Sequence, residues 1–175
     1  MVVEEDALIG LARHAVRGDD DAITALLEEL RPLIVRSVRL IVGVGRAVAE
    51  DAAQEALIDV YRGIRDLRDP NSVRAWALRI ASRRALRAVR RERLRDLIFE
   101  PVAVSVPWVD DSLARDIAGA FALLPPRMRA VTVLRLLVGL NEVETARALG
   151  CATGTVKSQL SEARERLQST LRLGG

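Results

Sequence analysis

Apolar residues recur every three or four positions along most of this chain, and this spacing is the feature that most restricts its fold. The clearest stretch runs from about Asp21 to Val42. Its apolar positions lie on one stripe of an α-helix: Ile23, Leu26, Leu27, Leu30, Ile34, Val38 and Ile41. Strand signals are weak, because only 3% of the residues are aromatic and no Asn-Gly or Asp-Gly hairpin dipeptide occurs. The sequence therefore predicts an all-α protein.

Helix-breaking residues divide the pattern into two small helical domains joined by a linker. We expect the first domain over residues 1–95, the linker over 96–112 and the second domain over 113–175. Pro101 and Pro107 interrupt the helical periodicity of the linker. In the first domain, helices are predicted over residues 5–17, 21–42, 47–64 and about 72–95, the last with Asn71 or Ser72 as its N-cap.

Charge is distributed unevenly along the chain, although the net charge is only +3. Residues 1–61 hold 12 acidic residues and 6 arginines, a net charge of −6. Residues 62–95 hold 12 arginines and 3 acidic residues, a net charge of +9, and the remainder is neutral. A basic segment of this density indicates a polyanionic partner such as nucleic acid.

The arginines of this segment follow a helical spacing. Four of them fall at i, i+4, i+8 and i+11, which aligns them along one face: Arg79, Arg83, Arg87 and Arg90. A solvated helix with its own carboxylate partners is the alternative. It is less favoured, since the only acidic residues nearby in the sequence are Asp66, Asp69 and Glu92.

Several functional classes find no support in the composition. The chain has one cysteine, Cys151, and one histidine, His14, so neither an internal disulfide nor a metal cluster is expected. We find no paired carboxylates for acid–base chemistry and no phosphate-binding glycine loop, which predicts no enzyme activity, no cofactor and no small-molecule substrate.

The acidic start lacks the features of a signal peptide, and no apolar run approaches the ~20 residues of a membrane helix. A cytoplasmic protein without membrane insertion is expected.

The stretch from Asn141 to Leu167 has the pattern of a helix-turn-helix. Asn141 and Glu144 stand in capping-box spacing at the start of a short helix. Ala146 is small enough for close packing, Gly150 suits a tight turn, and Val156 supplies a buried residue early in the second helix. Polar residues are then available for base edges in the major groove: Thr153, Thr155, Lys157, Ser158 and Gln159.

Four segments together resemble a known family. Residues 49–57, AEDAAQEAL, look like the region 2.2 helix of extracytoplasmic-function (ECF) sigma factors, and residues 72–81, SVRAWALRIA, look like the region 2.4 helix. Residues 124–127, LPPR, resemble the entry to region 4.1. Residues 154–158 followed by 163–167 resemble the recognition helix. The chain is thus similar to regions 2 and 4 of the sigma-70 family, with region 2 in the first domain and region 4 in the second.

The resemblance implies partners and roles for particular residues. The partners are core RNA polymerase, through its β′ and β subunits, promoter DNA, and an anti-sigma factor. The residues implied to bind core polymerase are Asp51, Gln54, Glu55 and Asp59. Those implied to bind the −10 element are Asp69, Asn71, Arg79, Arg83, Arg84 and Arg87. Those implied to bind the −35 element are Arg127, Thr153, Thr155, Lys157, Ser158, Gln159 and Arg164.

The chain departs from the family pattern at three informative positions. Thr145 stands where the first helix of the motif usually has Ile, which places a polar atom at a core position. Gln159 and Glu162 replace residues that are frequently Arg, so we expect weaker phosphate attraction by the recognition helix.

Two alternative functions are consistent with parts of the sequence. A stand-alone helix-turn-helix regulator would account for the second domain but not for the acidic helix followed by the arginine stripe. A non-initiating sigma homologue that sequesters a partner would account for Thr145 and Glu162. The apolar linker around Trp108 is a further expected contact for an anti-sigma factor.

Overall fold

The computed structural model describes residues 5–43, 47–96 and 119–173, and the regular structure in these ranges is helical. In the first half the α-helices are α1 (Glu5–Val16), α2 (Asp20–Val42), α3 (Ala47–Gly63) and α4 (Val73–Asp96). In the second half they are α5 (Pro126–Thr132), α6 (Glu142–Leu149) and α7 (Thr153–Leu173). The all-α prediction is confirmed. Apart from Asp96, the expected linker and its Trp108 lie outside the described residues.

The first four helices form a bundle around the predicted apolar stripe of α2. Leu26, Leu30 and Ile34 of that stripe are almost fully buried, and α3 and α4 both pack against α2. Asp19 caps α2, since its Oδ1 accepts a hydrogen bond from the Ala22 amide at 3.1 Å. The apolar residues that predict α2 in the sequence therefore also form the core of the bundle.

The start of α4 differs from the sequence prediction. The N-cap expected at Asn71 or Ser72 lies instead at Asp69, whose Oδ1 accepts from the Asn71 amide at 3.0 Å. The intervening residues, Pro70–Ser72, form a single 3₁₀ turn that leads into α4. Proline is favoured at the first helical position, where its missing N–H has no intrahelical partner, and this moves the cap one residue before Pro70.

The second half begins with helical residues 119–122 and continues through a proline-initiated helix. Pro126 starts α5, and the helix widens at its end into a π-helical turn over Val133–Leu137. The stretch from Pro126 to Leu137 is thus two helical segments with different hydrogen-bonding patterns. No helix in the described part of the chain is long and apolar enough to cross a bilayer.

The two halves share one hydrophobic core. Leu134, Leu140 and Ala148 from the second half belong to the same buried cluster as residues of α2 and α4. Helix α5 lies against α2, and α6 lies against α4. Packing between sequence-distant helices therefore fixes where the second half stands relative to the first.

Candidate nucleic-acid interface

Helix α3 presents part of its acidic sequence to solvent. Asp51 and Gln54 are exposed, as the sequence predicts for a binding face. Glu55 and Asp59 are only partly exposed, because they turn toward α4. Of the four residues predicted to bind polymerase, Asp51 and Gln54 therefore face solvent, and Glu55 and Asp59 lie at the contact between α3 and α4.

The contact between α3 and α4 is organised around Arg84. Its Nε donates to Asp59 Oδ2 at 2.6 Å and its Nη2 donates to Asp59 Oδ1 at 2.7 Å. Its Nη1 donates to Glu55 Oε2 at 2.8 Å. The hydrogen bond from Arg84 holds the pKa of the Asp59 carboxyl below its ordinary value, and the same pairing raises the pKa of Arg84. A planar guanidinium engages carboxylates at two points in this way, which fixes the register of the two helices.

The arginines of α4 that follow Arg79 form two sets in three dimensions. Arg83, Arg87 and Arg90 are exposed on α4. Arg84 lies toward α3 as described, and Arg91 Nη2 stands 3.6 Å from Glu55 Oε2. The exposed set retains positive charge on the outer face of α4, where a polyanion has access.

The loop before α4 is held by its own side chains. Asp69 Oδ1 accepts from the Asn71 side-chain amide at 2.9 Å as well as from its backbone amide. Ser72 Oγ donates to the Asp69 carbonyl at 2.8 Å. Both predicted −10 residues of this loop, Asp69 and Asn71, remain exposed. The internal hydrogen bonds reduce the conformational freedom that the loop would lose on binding a ligand.

The predicted helix-turn-helix is present. Asn141 Oδ1 accepts from the Glu144 amide at 2.9 Å, and Glu144 Oε2 accepts from the Asn141 amide at 2.7 Å, which completes the capping box of α6. Gly150 ends α6 with φ of 64°, a left-handed conformation that disfavours residues with a Cβ. Ala146 and Val156 are buried together between α6 and α7. The local sequence therefore specifies this motif.

The polar residues predicted to contact bases at the start of α7 differ in their exposure to solvent. Thr153, Lys157 and Ser158 are exposed, whereas Thr155 and Gln159 are half-buried. Lys157 Nζ stands 3.5 Å from Glu142 Oε2. The other predicted −35 residues, Arg127 and Arg164, are exposed on α5 and further along α7.

Electrostatics along the exposed part of α7 agree with the weak phosphate attraction inferred from the sequence. Glu162 Oε1 accepts from Arg166 Nη2 at 2.5 Å in an i, i+4 pair. The carboxylate thereby offsets one of the cations of the helix.

Thr145 occupies the core position at which the sequence departs from the family pattern. Its side chain is fully buried, and its Oγ1 has no hydrogen-bond partner. Thr132 is equally buried, but its Oγ1 donates to the Met128 carbonyl at 2.8 Å. A buried hydroxyl without a partner costs free energy of folding, so Thr145 is a local weak point of the motif.

A cleft of about 550 Å³ lies where the loop before α4 meets α6. Its walls combine Trp76 and Arg79 of α4 with Glu144 and Arg147 of α6. Neither Trp76 nor Arg147 was singled out by the sequence pattern as a binding residue. No local signal finds such a cleft, because its two walls come from opposite halves of the chain.

An all-helical chain with a basic helix face and a helix-turn-helix is a DNA-binding protein by architecture, and comparison with known proteins defines its family. Residues 26–95 match the family model of sigma-70 region 2, and residues 114–167 match that of sigma-70 region 4. The chain belongs to the ECF RNA polymerase sigma factors of the sigma-70 family.

Individual relatives show the extent of the similarity. The ECF RNA polymerase sigma factor SigM of Mycobacterium tuberculosis is 34% identical, over 92% of this chain and 82% of its own length. SigD of the same organism is 29% identical, over 100% of this chain and 89% of its own length.

Solved structures confirm the fold. CnrH, in complex with the cytosolic domain of CnrY, matches with a TM-score of 0.69 and 24% identity over 97% of this chain and 99% of its own. RpoE of Bartonella quintana, in complex with the anti-sigma factor NepR, matches with a TM-score of 0.70 and 24% identity over 85% of this chain and 96% of its own.

Proposed function

We propose that the two halves of this sigma factor divide promoter recognition between them. Residues 1–95 bind core RNA polymerase and the −10 element, and residues 113–175 bind the −35 element. Residues 96–112 connect the two. Family membership supports the overall activity, and the placement of charged residues supports the division.

The observation that carries the proposal is the separation of charge on the α3–α4 pair. On α3 the carboxylate of Asp51 is exposed beside the neutral Gln54, whereas Arg83 and Arg87 are exposed on α4. Opposite charges on two neighbouring helices suit two partners of opposite charge. We assign the acidic face to a basic surface of polymerase and the arginine face to DNA.

At the −10 element the proposed role is to capture a single strand. Arg79, Arg83 and Arg87 attract phosphates, while Asp69 and Asn71 in the preceding loop contact a base taken out of the stack. Flipping a base costs a few kcal/mol, which the loop contacts and phosphate attraction must offset. We assign Arg84 to positioning, because its guanidinium is occupied by Asp59 and Glu55.

At the −35 element the proposed role is to read duplex DNA in the major groove. The residues assigned to this surface are Arg127, Thr153, Thr155, Lys157, Ser158, Gln159 and Arg164. Two cations of α7, Lys157 and Arg166, each have a carboxylate nearby. Binding of this surface then depends on polymerase holding the domain close to its site, which raises the effective concentration.

The remaining parts of the proposal concern the cellular location of the protein and its regulation. We place the protein in the cytoplasm, where core polymerase and promoter DNA are found, and assign it no covalent chemistry. An anti-sigma factor is the proposed regulator. One structural neighbour is a complex of this kind, RpoE of Bartonella quintana with the anti-sigma factor NepR.

The test is run-off transcription with core polymerase on a pool of promoter fragments from the source genome, with and without the protein. Defined transcripts that depend on the protein are the expected result, and they supply the −10 and −35 sequences together. Absence of transcripts with polymerase binding intact would instead support a sequestering homologue. Absence of polymerase binding as well would support a stand-alone DNA-binding protein.

A further inference from the structure

The side chain of Asn71, which is proposed to contact a flipped base, is held at both ends of its amide. Its Oδ1 accepts a hydrogen bond from Arg13 Nη2 at 3.4 Å, and its Nδ2 donates to Asp69 Oδ1 at 2.9 Å. Arg13 belongs to α1 and lies 58 residues away in the sequence. A side chain of the first helix therefore reaches the loop before α4.

Helix α1 is fixed in place beside this loop. It packs against the 3₁₀ turn over Pro70–Ser72, and Leu8 and Ala12 on its inner side are buried in the core. At the first residue of α1, Glu5 Oε2 accepts from Arg74 Nη1 at 3.2 Å. Apolar packing and this ion pair therefore hold α1 against the loop.

The two partners of Asn71 select one orientation of its amide. A guanidinium can only donate hydrogen bonds, and an ionised carboxylate can only accept them. Rotating the amide by half a turn would place its NH₂ group against Arg13 and its oxygen against Asp69, and both hydrogen bonds would be lost. Arg13 and Asp69 therefore favour the same one of the two orientations that an asparagine side chain can take.

The held amide keeps one donor and one acceptor for a ligand. An amide NH₂ group has two hydrogens and its oxygen has two lone pairs, so one of each remains after the bonds to Asp69 and Arg13. Asp69 Oδ1 also accepts from the backbone amide of Asn71 at 3.0 Å, which places it on the backbone side of that side chain. The free hydrogen is then the one directed away from the backbone. Because Asn71 is exposed, a base can reach a donor and an acceptor whose order is fixed.

The order of donor and acceptor divides the four bases into two classes. Adenine and cytosine present an amino donor next to a ring-nitrogen acceptor, and we call them the amino class. Guanine and thymine present a carbonyl acceptor next to a ring N–H donor, and we call them the keto class. An amide that rotates freely can pair with either class, whereas a held amide pairs well with only one class in a given pose.

We propose that Arg13 determines base specificity at the −10 element, because it orients Asn71 so that one class of base is preferred at one promoter position. The inference rests on the proposed function, since it assumes that Asn71 contacts a base. Arg13 acts through Asn71 and is therefore a positioning residue. A role limited to attracting phosphates would instead change transcription equally from every promoter sequence.

The test uses holoenzyme reconstituted from core polymerase and the full chain. Run-off transcription is measured from templates in which each position of the −10 element carries each of the four bases in turn. Wild-type protein should prefer one class by at least about fivefold at one position, the lower end expected for a bidentate contact. Asn71→Ala should remove this preference, which identifies the position that Asn71 reads.

Arg13→Met keeps the apolar stem of the side chain but removes its donors. It should lower the preference at that position from about fivefold toward equal use of both classes. Arg13→Lys retains a donor for Asn71 Oδ1 and should restore most of the preference. Arg17→Met removes the charge of an exposed arginine nearby, and as the matched control it should keep the wild-type preference.

Circular dichroism and thermal melting check that each variant is folded. If Arg13→Met unfolds, Arg13→Gln decides in its place, because its amide can donate or accept and so selects no orientation of Asn71. A folded variant that keeps the wild-type preference, or that lowers transcription equally from all templates, would overturn the role of Arg13.

An Asn71→Ala protein with unchanged preference at every position would also overturn the inference. Successful run-off transcription would in that case leave the proposed function standing, with another residue at the base. Absence of transcripts with wild-type protein would overturn the proposed function, and the role of Arg13 with it.

Discussion

Arg84 and Asp59 meet in a two-point ion pair, with Nε–Oδ2 and Nη2–Oδ1 distances of 2.6 and 2.7 Å. The pair joins the helix that carries the acidic face to the helix that carries the arginine face. Because Glu55 accepts from the same guanidinium at 2.8 Å, the three side chains act as one link. A specific ion pair therefore links the two proposed binding surfaces, in addition to the apolar packing between the two helices.

This link predicts a pH-dependent loss of stability. The pKa of Asp59 is lowered in the folded state, so its stabilising contribution is present above the ordinary value of 3.8 and is lost as the pH falls through the lowered pKa. Asp59→Asn should lower the free energy of unfolding at pH 7 by about 1–2 kcal/mol. The difference from wild type should shrink toward pH 3. Chemical denaturation at both pH values measures it, with Asp51→Asn as the exposed control; an equal deficit at both would contradict the assignment.

Replacing Arg83 and Arg87 together by Ala should weaken promoter opening. Each phosphate contact on a single strand contributes about −0.7 to the slope of log K against log salt, so loss of two should flatten that slope by about 1.4. Open-complex yield, followed by permanganate reactivity across a salt series, measures both effects. Arg31→Ala with Arg36→Ala removes the same charge from exposed positions on α2. An unchanged yield and slope would argue against a DNA role for the outer face of α4.

Replacing Gln54 and Glu55 together by Ala should weaken binding to core polymerase before any DNA is present. Truncation of central interface residues commonly costs more than 1 kcal/mol, so we expect roughly a tenfold loss of affinity. Titration of labelled protein with core polymerase provides the measurement. Since Glu55 also accepts from Arg84, a melting curve must show that the fold is retained. Normal affinity in a folded variant would remove this face from the polymerase interface.

Thr145→Val should stabilise the protein. The valine keeps the shape of the side chain and removes a buried hydroxyl that has no partner, which is expected to raise the free energy of unfolding by about 1 kcal/mol. Thr132→Val is the matched control, because it removes a hydroxyl that donates to the Met128 carbonyl and should not stabilise. Chemical denaturation of the two variants compares them directly. Equal effects would mean that the hydroxyl of Thr145 finds a partner in solution.

Gly150→Ala should destabilise the helix-turn-helix. The φ of 64° lies in the left-handed region, where an L-residue costs about 1–2 kcal/mol, although the added Cβ itself meets no atom within 4 Å. Gly154→Ala is the control, because this glycine lies within α7 with open space around it and Ala favours a helix. Opposite signs of the two changes in melting temperature are expected. A neutral Gly150→Ala would show that the turn tolerates another conformation.

Structural features that depend on near neighbours in the chain can be predicted from the amino-acid sequence. Spacing of three and four residues predicts α2 and its buried face, and the capping box with Gly150 predicts the helix-turn-helix, because these interactions join residues within one or two turns. The family resemblance placed the polar residues of α7 at the start of the recognition helix. The cap at Asp69 was missed by only two residues, since the signal of Pro70 competes with those of Asn71 and Ser72.

Contacts between side chains of different helices depend on the packing of the whole chain. The arginine-rich segment was judged short of carboxylates because only sequence neighbours were considered, yet Arg84 pairs with Asp59 and Glu55 at separations of 25 and 29 residues. Arg129 reaches Val42 across 87 residues. Such contacts depend on how each helix is rotated and where it lies on its neighbour. The rotation and position of each helix arise from packing of the whole core, so they cannot be predicted from a local sequence pattern.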